Sequence, residues 1–243
     1  EVIYLRRDSS ETKRKILTVC VRLFLEQGYK NTSVSQILDE AGVARGSYLN
    51  LFPTKDRILL ELTETMFGGQ FGVARSIADS KLPPVYAYAV ETAIQLTLTE
   101  LNENLREIYI EAYTQKEASE YIFRETTKEL HQIFGPYLPG LTLRDFYEME
   151  IGSASIMRGY MAHPCDDELT LEKKLRLFIT MSLRVYNVPN QEIDKAIHFV
   201  EGLDIRTISE QVMQQLFNVL AMHFEFSLQG IEKANITKTE GIK

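Results

Sequence analysis

The chain lacks the features that mark membrane, exported and metal-binding proteins. Its 243 residues contain no run of about 18 apolar residues and no apolar region at the amino terminus, so we expect no membrane span and a cytoplasmic location. Cys20 and Cys165 are its two cysteines, and neither lies in a CxxC or other ligand spacing, which predicts reduced, structural thiols. We expect no metal and no cofactor.

Strand patterns and catalytic motifs are also missing. No convincing alternation of apolar and polar residues, internal repeat or low-complexity block occurs, so the predicted class is all-α, with nine or ten helices. A GxSxG elbow, an HExxH motif and a phosphate-binding glycine loop are all absent. The stretch from His163 to Asp167 has metal-capable side chains but no second cluster. We therefore predict that the chain is not an enzyme, and an α-helical enzyme is the alternative.

Charge is distributed unevenly along the chain. The net charge of −7 argues against nucleic acid, because phosphates attract a positive surface. However, residues 1–62 carry ten Lys or Arg against eight Asp or Glu, whereas residues 63–243 carry seventeen against twenty-six. The first segment can therefore approach DNA while the acidic remainder stays away from it.

The first 67 residues predict four helices separated by clear breakers. An apolar stripe starting near Ser9 ends at Gly28, and Thr32 or Ser33 caps a short second helix that stops at Gly42. A third short helix over about 44–51 follows almost at once, before Pro53 and Thr54 restart the chain. Two short helices joined through a glycine, with a third behind them, are typical of a helix-turn-helix.

The rest of the chain keeps a helical pattern to its end. The predicted segments are one that starts at the proline pair 83–84, a long one over 103–134, and others over 141–163, 168–187 and about 190–228, the last interrupted near Gly202. Gly68, Gly69 and Gly72 predict a kink or joint after the fourth helix, since each glycine costs a helix about 1 kcal/mol relative to alanine.

The stretch "KRKILTVCVRLFLEQGYKNTSVSQILDEAGVARGSYLNLFPTKDRIL" resembles the amino-terminal domain of the TetR family of transcriptional regulators. The features that match are Leu23-Phe24, Gly28-Tyr29, Thr32-Ser33, Ile37, Ala41-Gly42-Val43, Gly46, Phe52 and Lys55 followed by leucines. The resemblance implies a DNA-binding domain over 1–62 and a helical effector-binding and dimerisation domain over 63–235, before a polar tail over 236–243.

The same resemblance implies which residues contact double-stranded DNA. Arg45, Gly46, Ser47 and Asn50 occupy the positions that face bases, where Arg45 suits guanine and Asn50 suits adenine. Phosphate contacts are implied for Thr32, Ser33 and Lys55.

Two positions depart from the family pattern. Relatives usually have tyrosine where this chain has Leu49, and tyrosine or histidine where it has Leu51, and both commonly touch phosphate. Tyr48 occupies a neighbouring position that is typically apolar and buried. Either Tyr48 supplies the missing hydroxyl from an altered rotation, or two phosphate contacts are absent. Ala44 is also a poor N-cap, which costs about 1 kcal/mol against serine.

The segment "FYEMEIGSASIMRGYM" predicts an effector cavity. Its apolar stripe includes adaptable methionines beside small residues, which leave room for an apolar ligand, although the same stripe fits ordinary helix core. The candidate residues on this segment are Met149, Ser153, Met157 and Met161. If the helices pack as in the family, the cavity is completed by Phe67, Phe71, Tyr109 and Tyr113.

The sequence thus predicts a homodimeric regulator, most often a repressor in this family, that a small, largely apolar effector releases from a near-palindromic operator. The predicted dimer surface is a four-helix bundle from about 169–187 and 205–228, through Leu175, Phe178, Ile179, Leu183, Val212, Leu216, Leu220 and Phe224, unless these stripes belong to internal core. The alternatives are an activator of the same fold and a ligand- or protein-binding module with weakened DNA affinity.

Overall fold

The structure is a computed structural model that describes residues 2–67 and 82–231, with side chains from Ser9 onward. These residues form helices and no strands, so the all-α class is confirmed. The described part contains eleven α-helices of seven or more residues and a 3₁₀ turn at Gly135–Tyr137, close to the number predicted. The helices are α1 Val2–Gln27, α2 Val34–Ala41, α3 Arg45–Leu51, α4 Lys55–Phe67, α5 Pro84–Leu101, α6 Glu103–Ala112, α7 Lys116–Phe134, α8 Leu143–Met161, α9 Leu171–Val185, α10 Asn190–Glu201 and α11 Ile205–Phe224.

The breakers near the amino terminus act as the sequence predicts. Ser33 caps α2 by accepting a hydrogen bond from the backbone of Gln36, and Gly42 ends it in the left-handed conformation with φ of 61°. Ala44 precedes α3 without any side-chain cap. The short helix is therefore delimited by backbone geometry, with no contribution from an N-cap side chain.

Two predicted boundaries are wrong. The first helix begins at Val2 rather than near Ser9, because no glycine or proline interrupts the residues between them. The long segment over 103–134 is divided, since α6 ends at Ala112 and α7 begins at Lys116 after an extended Gln115. Neither glycine nor proline marks this break, so the pattern of residues does not reveal it.

Helices α1–α4, called the head below, share one core. The carboxyl half of α1 lies behind α2 and α3, and Tyr48 and Phe52 attach the short α3 to it. The buried side chains of this core are Ile16, Cys20, Phe24, Ile37, Tyr48, Phe52, Ile58, Leu59 and Leu62. Because α3 is held from one side only, its opposite face is left to solvent.

Helices α5–α11, called the body below, are arranged around α5. This helix is buried along nearly its whole length and contacts all six other body helices. The buried apolar residues of the body pack around α5 in one continuous core. No helix in the described ranges is long and apolar enough to cross a membrane.

The head is attached to the body through α6, α7 and α11, and α6 contacts the turn that follows α1. The amide of Asn104 donates to the carbonyl of Leu25 at 2.8 Å, and the backbone N–H of Lys30 donates to Glu107 at 3.1 Å. Gly28 has a φ of +92°, a backbone conformation that favours glycine, and a Cβ atom there would also displace the Glu107 carboxylate, whose Oε2 lies 2.5 Å from the Cβ position. The joint predicted at Gly68, Gly69 and Gly72 lies outside the described residues.

Candidate functional site

The outer face of α3 is composed of exposed residues that the sequence analysis assigned to DNA. Arg45, Gly46, Ser47 and Asn50 all lie on the solvent side of this helix, with Leu49 beside them. The seven-residue helix presents them together because its buried side chains all point back toward α1. The face offers one cation, one amide, one hydroxyl and one apolar side chain.

The structure describes the side chains of eight lysines and arginines in the head. Among them, Arg45 has no ion pair and no hydrogen bond. The others are neutralised or held by partners within the chain: Lys13 by Glu61, Arg14 by Glu225, Lys15 by Glu11, Arg22 by Glu26 and Glu40, Lys30 by Glu107 and Glu111, Lys55 by backbone carbonyls, and Arg57 by Glu117. An unpaired cation is the group most able to engage an external acceptor, since it need not first leave a partner. Its position on α3 therefore concentrates the free positive charge where bases would be contacted.

Thr32 and Lys55 hold the turn before α2 instead of facing solvent. The buried Thr32 hydroxyl donates to the carbonyl of Gly28 at 2.8 Å. The Lys55 ammonium donates to the carbonyls of Tyr29 and Thr32 at 2.8 and 3.1 Å and lies 3.9 Å from the centre of the Tyr29 ring. Desolvation lowers the pKa of Lys55, although nearby carboxylates oppose this change. Neither side chain is placed to reach a phosphate, whereas Ser33 is exposed.

Tyr48 lies in the head core, and its hydroxyl is fully buried without a hydrogen-bond partner in the described structure. Desolvation raises the pKa of this hydroxyl to about 12. The placement does not support the predicted contact between Tyr48 and DNA, because the ring packs against Phe52 with centroids 6.2 Å apart. Leu49 is exposed and Leu51 is half-buried against the core. The buried Tyr48 hydroxyl therefore does not replace the hydroxyl groups that relatives have at these two positions.

Changing Tyr48 to Phe is expected to stabilise the protein by about 1 kcal/mol, because an unpaired buried hydroxyl loses its hydration without compensation. Urea denaturation measures the change, and DNA affinity should stay as in the unaltered chain. Tyr29→Phe is the matched control, since the Tyr29 hydroxyl donates to Asp56 at 2.6 Å and its loss should destabilise. A drop in DNA affinity for Tyr48→Phe would show that the hydroxyl does reach phosphate.

The predicted effector residues fall at two separate cavities. Tyr113, Ser153 and Met157 line an inner cavity of about 30 Å³, whereas Tyr109 lines an outer groove of about 210 Å³. Phe67 packs edge-on against Tyr109 and Tyr113, with ring centroids 5.8 and 5.9 Å apart.

Of the remaining predicted effector residues, Phe67, Met149 and Met161 line neither of these two cavities. Met149 is half-buried and Met161 fully buried in the core of the body, and Phe71 lies outside the described residues. The predicted stripe on α8 is therefore partly core and partly cavity wall.

Glu150 is a residue of the inner cavity that the sequence analysis missed. Its carboxyl is 6 % exposed and accepts hydrogen bonds from Thr126 at 2.9 Å, from Tyr186 at 3.3 Å and from Ser153. Burial raises its pKa to about 7, and the hydroxyl hydrogen bonds oppose that shift. A signal existed, because Glu150 lies four residues after Phe146 and three before Ser153, on the apolar stripe of α8.

The apolar residues predicted for a dimer surface are mostly internal core. On α9, Leu175, Phe178, Ile179 and Leu183 are buried within the chain, as are Leu220 and Phe224 on α11. Val212 and Leu216 are half-buried at the outer groove. The large apolar residues that these helices expose are instead Leu177, Met181, Val219 and Met222.

Comparison with known proteins identifies the head. Residues 16–62 match the model of the family described as bacterial regulatory proteins, tetR family. Over these residues the head is similar to that family. The match begins within α1 and extends through most of α4, so it covers the α2–α3 pair whose geometry is described above.

Curated transcriptional regulators are similar to part of the chain. The HTH-type transcriptional regulator AcrR of Shigella flexneri is 37 % identical over 59 residues, which are 24 % of this chain and 27 % of AcrR. The uncharacterised HTH-type transcriptional regulator YuxN of Bacillus subtilis is 29 % identical over 97 residues, 40 % of this chain and 31 % of YuxN. The chain thus spans less than a third of the length of these relatives.

One solved structure resembles the chain more broadly but more weakly. A crystal structure of a gamma-butyrolactone receptor, described as ArpA-like, aligns with 86 % of this chain and 99 % of its own. The identity is 17 % and the TM-score 0.39.

Proposed function

We propose that the chain is a homodimeric, ligand-responsive transcriptional regulator that acts as a repressor. In this proposal, residues 1–62 bind a near-palindromic operator, and residues 63–235 bind a small effector and the partner subunit. The observation that carries it is the face of α3, where Arg45 has no partner in the described chain and Asn50 is exposed beside it.

Direct contact with bases fits the chemistry of this face. A guanidinium can donate two hydrogen bonds to guanine, and a carboxamide can pair with adenine, in the major groove that admits an α-helix. Gly46 has no side chain, which permits the backbone of α3 to approach the DNA closely. The exposed Leu49 suits contact with a thymine methyl group, so this departure from the family pattern serves base recognition.

Phosphate binding is assigned to the start of α2. The first N–H groups of a helix lack partners within the helix and attract anions, and α2 begins just after the exposed Ser33. Thr32 and Lys55 act from behind by fixing the turn that orients these N–H groups. Fewer side-chain contacts to phosphate are therefore needed than the family pattern implies.

Dimerisation is assigned to α9 and α11 through the apolar residues that they expose, Leu177 and Met181 on α9 and Val219 and Met222 on α11. The two residues of each helix are one turn apart, so each helix exposes a pair of neighbouring apolar side chains, and Met222 is 77 % exposed. Two-fold symmetry of such a dimer would place two copies of α3 on adjacent turns of DNA, which requires a near-palindromic site.

Effector control follows from the position of α6. This helix contacts the head through Asn104 and Glu107 and also carries Tyr109 at the outer groove. A ligand that favours one placement of α6 favours one placement of the heads, and thereby shifts the population away from the spacing that fits both half-sites. Repression is relieved as a result.

Selection of bound sequences from random duplex DNA tests this function. The purified full chain should enrich a near-palindrome, with affinity that falls as salt rises because phosphate contacts release counterions. Sedimentation analysis should show a dimer in solution and on the selected site. No enrichment of any sequence would refute the proposal and favour a ligand- or protein-binding module instead.

A further inference from the structure

Gln95 borders both of the cavities that contain predicted effector residues. It lies on the central helix α5 and lines both the inner cavity of about 30 Å³ and the outer groove of about 210 Å³. An elongated molecule that displaced this side chain would extend from one cavity into the other.

Two polar groups of the inner cavity have no hydrogen bond within the described chain. Gln95 is 3 % exposed, yet its carboxamide makes no hydrogen bond in the structure as described, and neither does the hydroxyl of the half-buried Tyr113. Buried polar groups are nearly always paired. Both groups line the same small cavity, where one polar ligand atom would meet them.

Glu150 adds a carboxylate to the same cavity, and no ion pair balances its charge within the described ranges. Its three hydrogen-bond donors, Thr126, Ser153 and Tyr186, are neutral hydroxyls. Buried carboxylates are normally paired with a cation, because desolvation of the charge is otherwise uncompensated. An ionised carboxylate at this position is therefore suited to a cationic ligand group.

We propose that the inner cavity binds the primary ammonium group of an amphiphilic amine, with its alkyl chain in the outer groove. This inference rests on the proposed effector function and names the chemical class of that effector. It also revises the expectation of a largely apolar ligand, since the inner end is charged.

The size and chemistry of both cavities match this ligand. An ammonium group is about as large as one water molecule, which a cavity of this inner volume holds. Its three N–H donors correspond to three acceptors on the wall, namely Glu150, the Gln95 carbonyl oxygen and the Tyr113 hydroxyl. Tyr88 adds an aromatic ring that attracts a cation. The groove presents aliphatic side chains to the alkyl chain, among them Ile94, Leu98 and Leu216.

Calorimetric titration of the full chain with n-octylammonium and with 1-octanol tests the proposal. At pH 8, where Glu150 is mostly ionised, n-octylammonium should bind at least ten-fold more tightly than 1-octanol. The Glu150→Gln variant should lose this preference while its affinity for 1-octanol is unchanged. Glu148→Gln is the matched control, because Glu148 lies on the same helix but is exposed and pairs with Arg144. Equal affinities for the two probes, or an undiminished preference in Glu150→Gln, would overturn the proposal.

A second variant protects the test against a folding defect in Glu150→Gln. Tyr113→Phe removes one unpaired hydroxyl and should reduce n-octylammonium affinity several-fold without changing 1-octanol affinity. If the affinities for both probes stay unchanged in this variant, the result counts against the site. Binding of operator DNA is measured separately. Loss of amine selectivity with intact DNA binding refutes only the ligand class, whereas amine binding without any DNA binding refutes only the regulator.

Discussion

Replacing Arg45 with Ala is expected to weaken binding to the selected DNA site by about 5- to 150-fold per half-site. A bidentate contact to one base contributes about 1–3 kcal/mol of discrimination, and Arg45 is the head cation without a partner in the described chain. The variant should lose its preference at the base pair that Arg45 contacts, while its affinity for a scrambled site should change much less. Fluorescence anisotropy with labelled duplexes at fixed salt measures both affinities.

Two further variants define what this result means. Asn50→Ala should cost a similar factor but relax the preference at a different base pair. Arg124→Ala removes one positive charge from α7 in the body, where the side chain is exposed and pairs with Glu120, and should leave DNA affinity unchanged. If Arg124→Ala weakened binding as much as Arg45→Ala, the loss would reflect overall charge, and α3 would not be the recognition helix.

The head could be predicted from sequence because local signals fix it. Gly42 adopts the left-handed backbone that the pattern requires, and Ser33 caps α2 with its own side chain. Each signal acts within four residues, so one sequence suffices to place it. Partners more distant in sequence could not be placed in this way, and Lys55 shows why, since its ammonium is held by carbonyls 23 and 26 residues earlier.

The body was predictable as helices but not as an assembly. An apolar stripe shows which face of a helix is buried, but not what covers it, so the stripes of α9 and α11 fit a dimer surface and an internal core equally well. The inner cavity depends on Gln95, Tyr113 and Glu150, which come from three different elements. Only their packing brings these groups together.

Polar residues on the apolar stripes of helices indicate buried polar sites, which the hydrophobic periodicity alone does not reveal. Glu150 on α8 and Lys174 on α9 both occupy buried faces, and both proved to be the polar centres of their surroundings. An ionisable residue in such a position must find partners, since its burial is otherwise too costly. The two sites differ in outcome, because Lys174 is paired within the chain and Glu150 is not.

Lys174→Ala is therefore expected to destabilise the protein by about 3 kcal/mol, near the lower end of the cost of breaking a buried ion pair. The Lys174 side chain is 0 % exposed, and its ammonium donates to Glu100 at 2.6 Å and to the carbonyl of His163. Removing it leaves the Glu100 carboxylate with Arg106 at 3.4 Å and the backbone N–H of Cys165 at 3.0 Å. Those remaining partners limit the loss, which urea denaturation at neutral pH measures.

Lys173→Ala provides the control, because its neighbouring ammonium is exposed and donates only to the carbonyl of Glu168. It should change stability by less than about 0.5 kcal/mol, as surface substitutions usually do. The double variant Lys174→Met with Glu100→Gln is compared with its two single variants, Lys174→Met and Glu100→Gln. Its loss of unfolding free energy should be smaller than the sum of the two single losses, since neither charge is then left without the other. Equal effects of Lys173→Ala and Lys174→Ala would instead mean that the pair contributes nothing to holding α5 against α9.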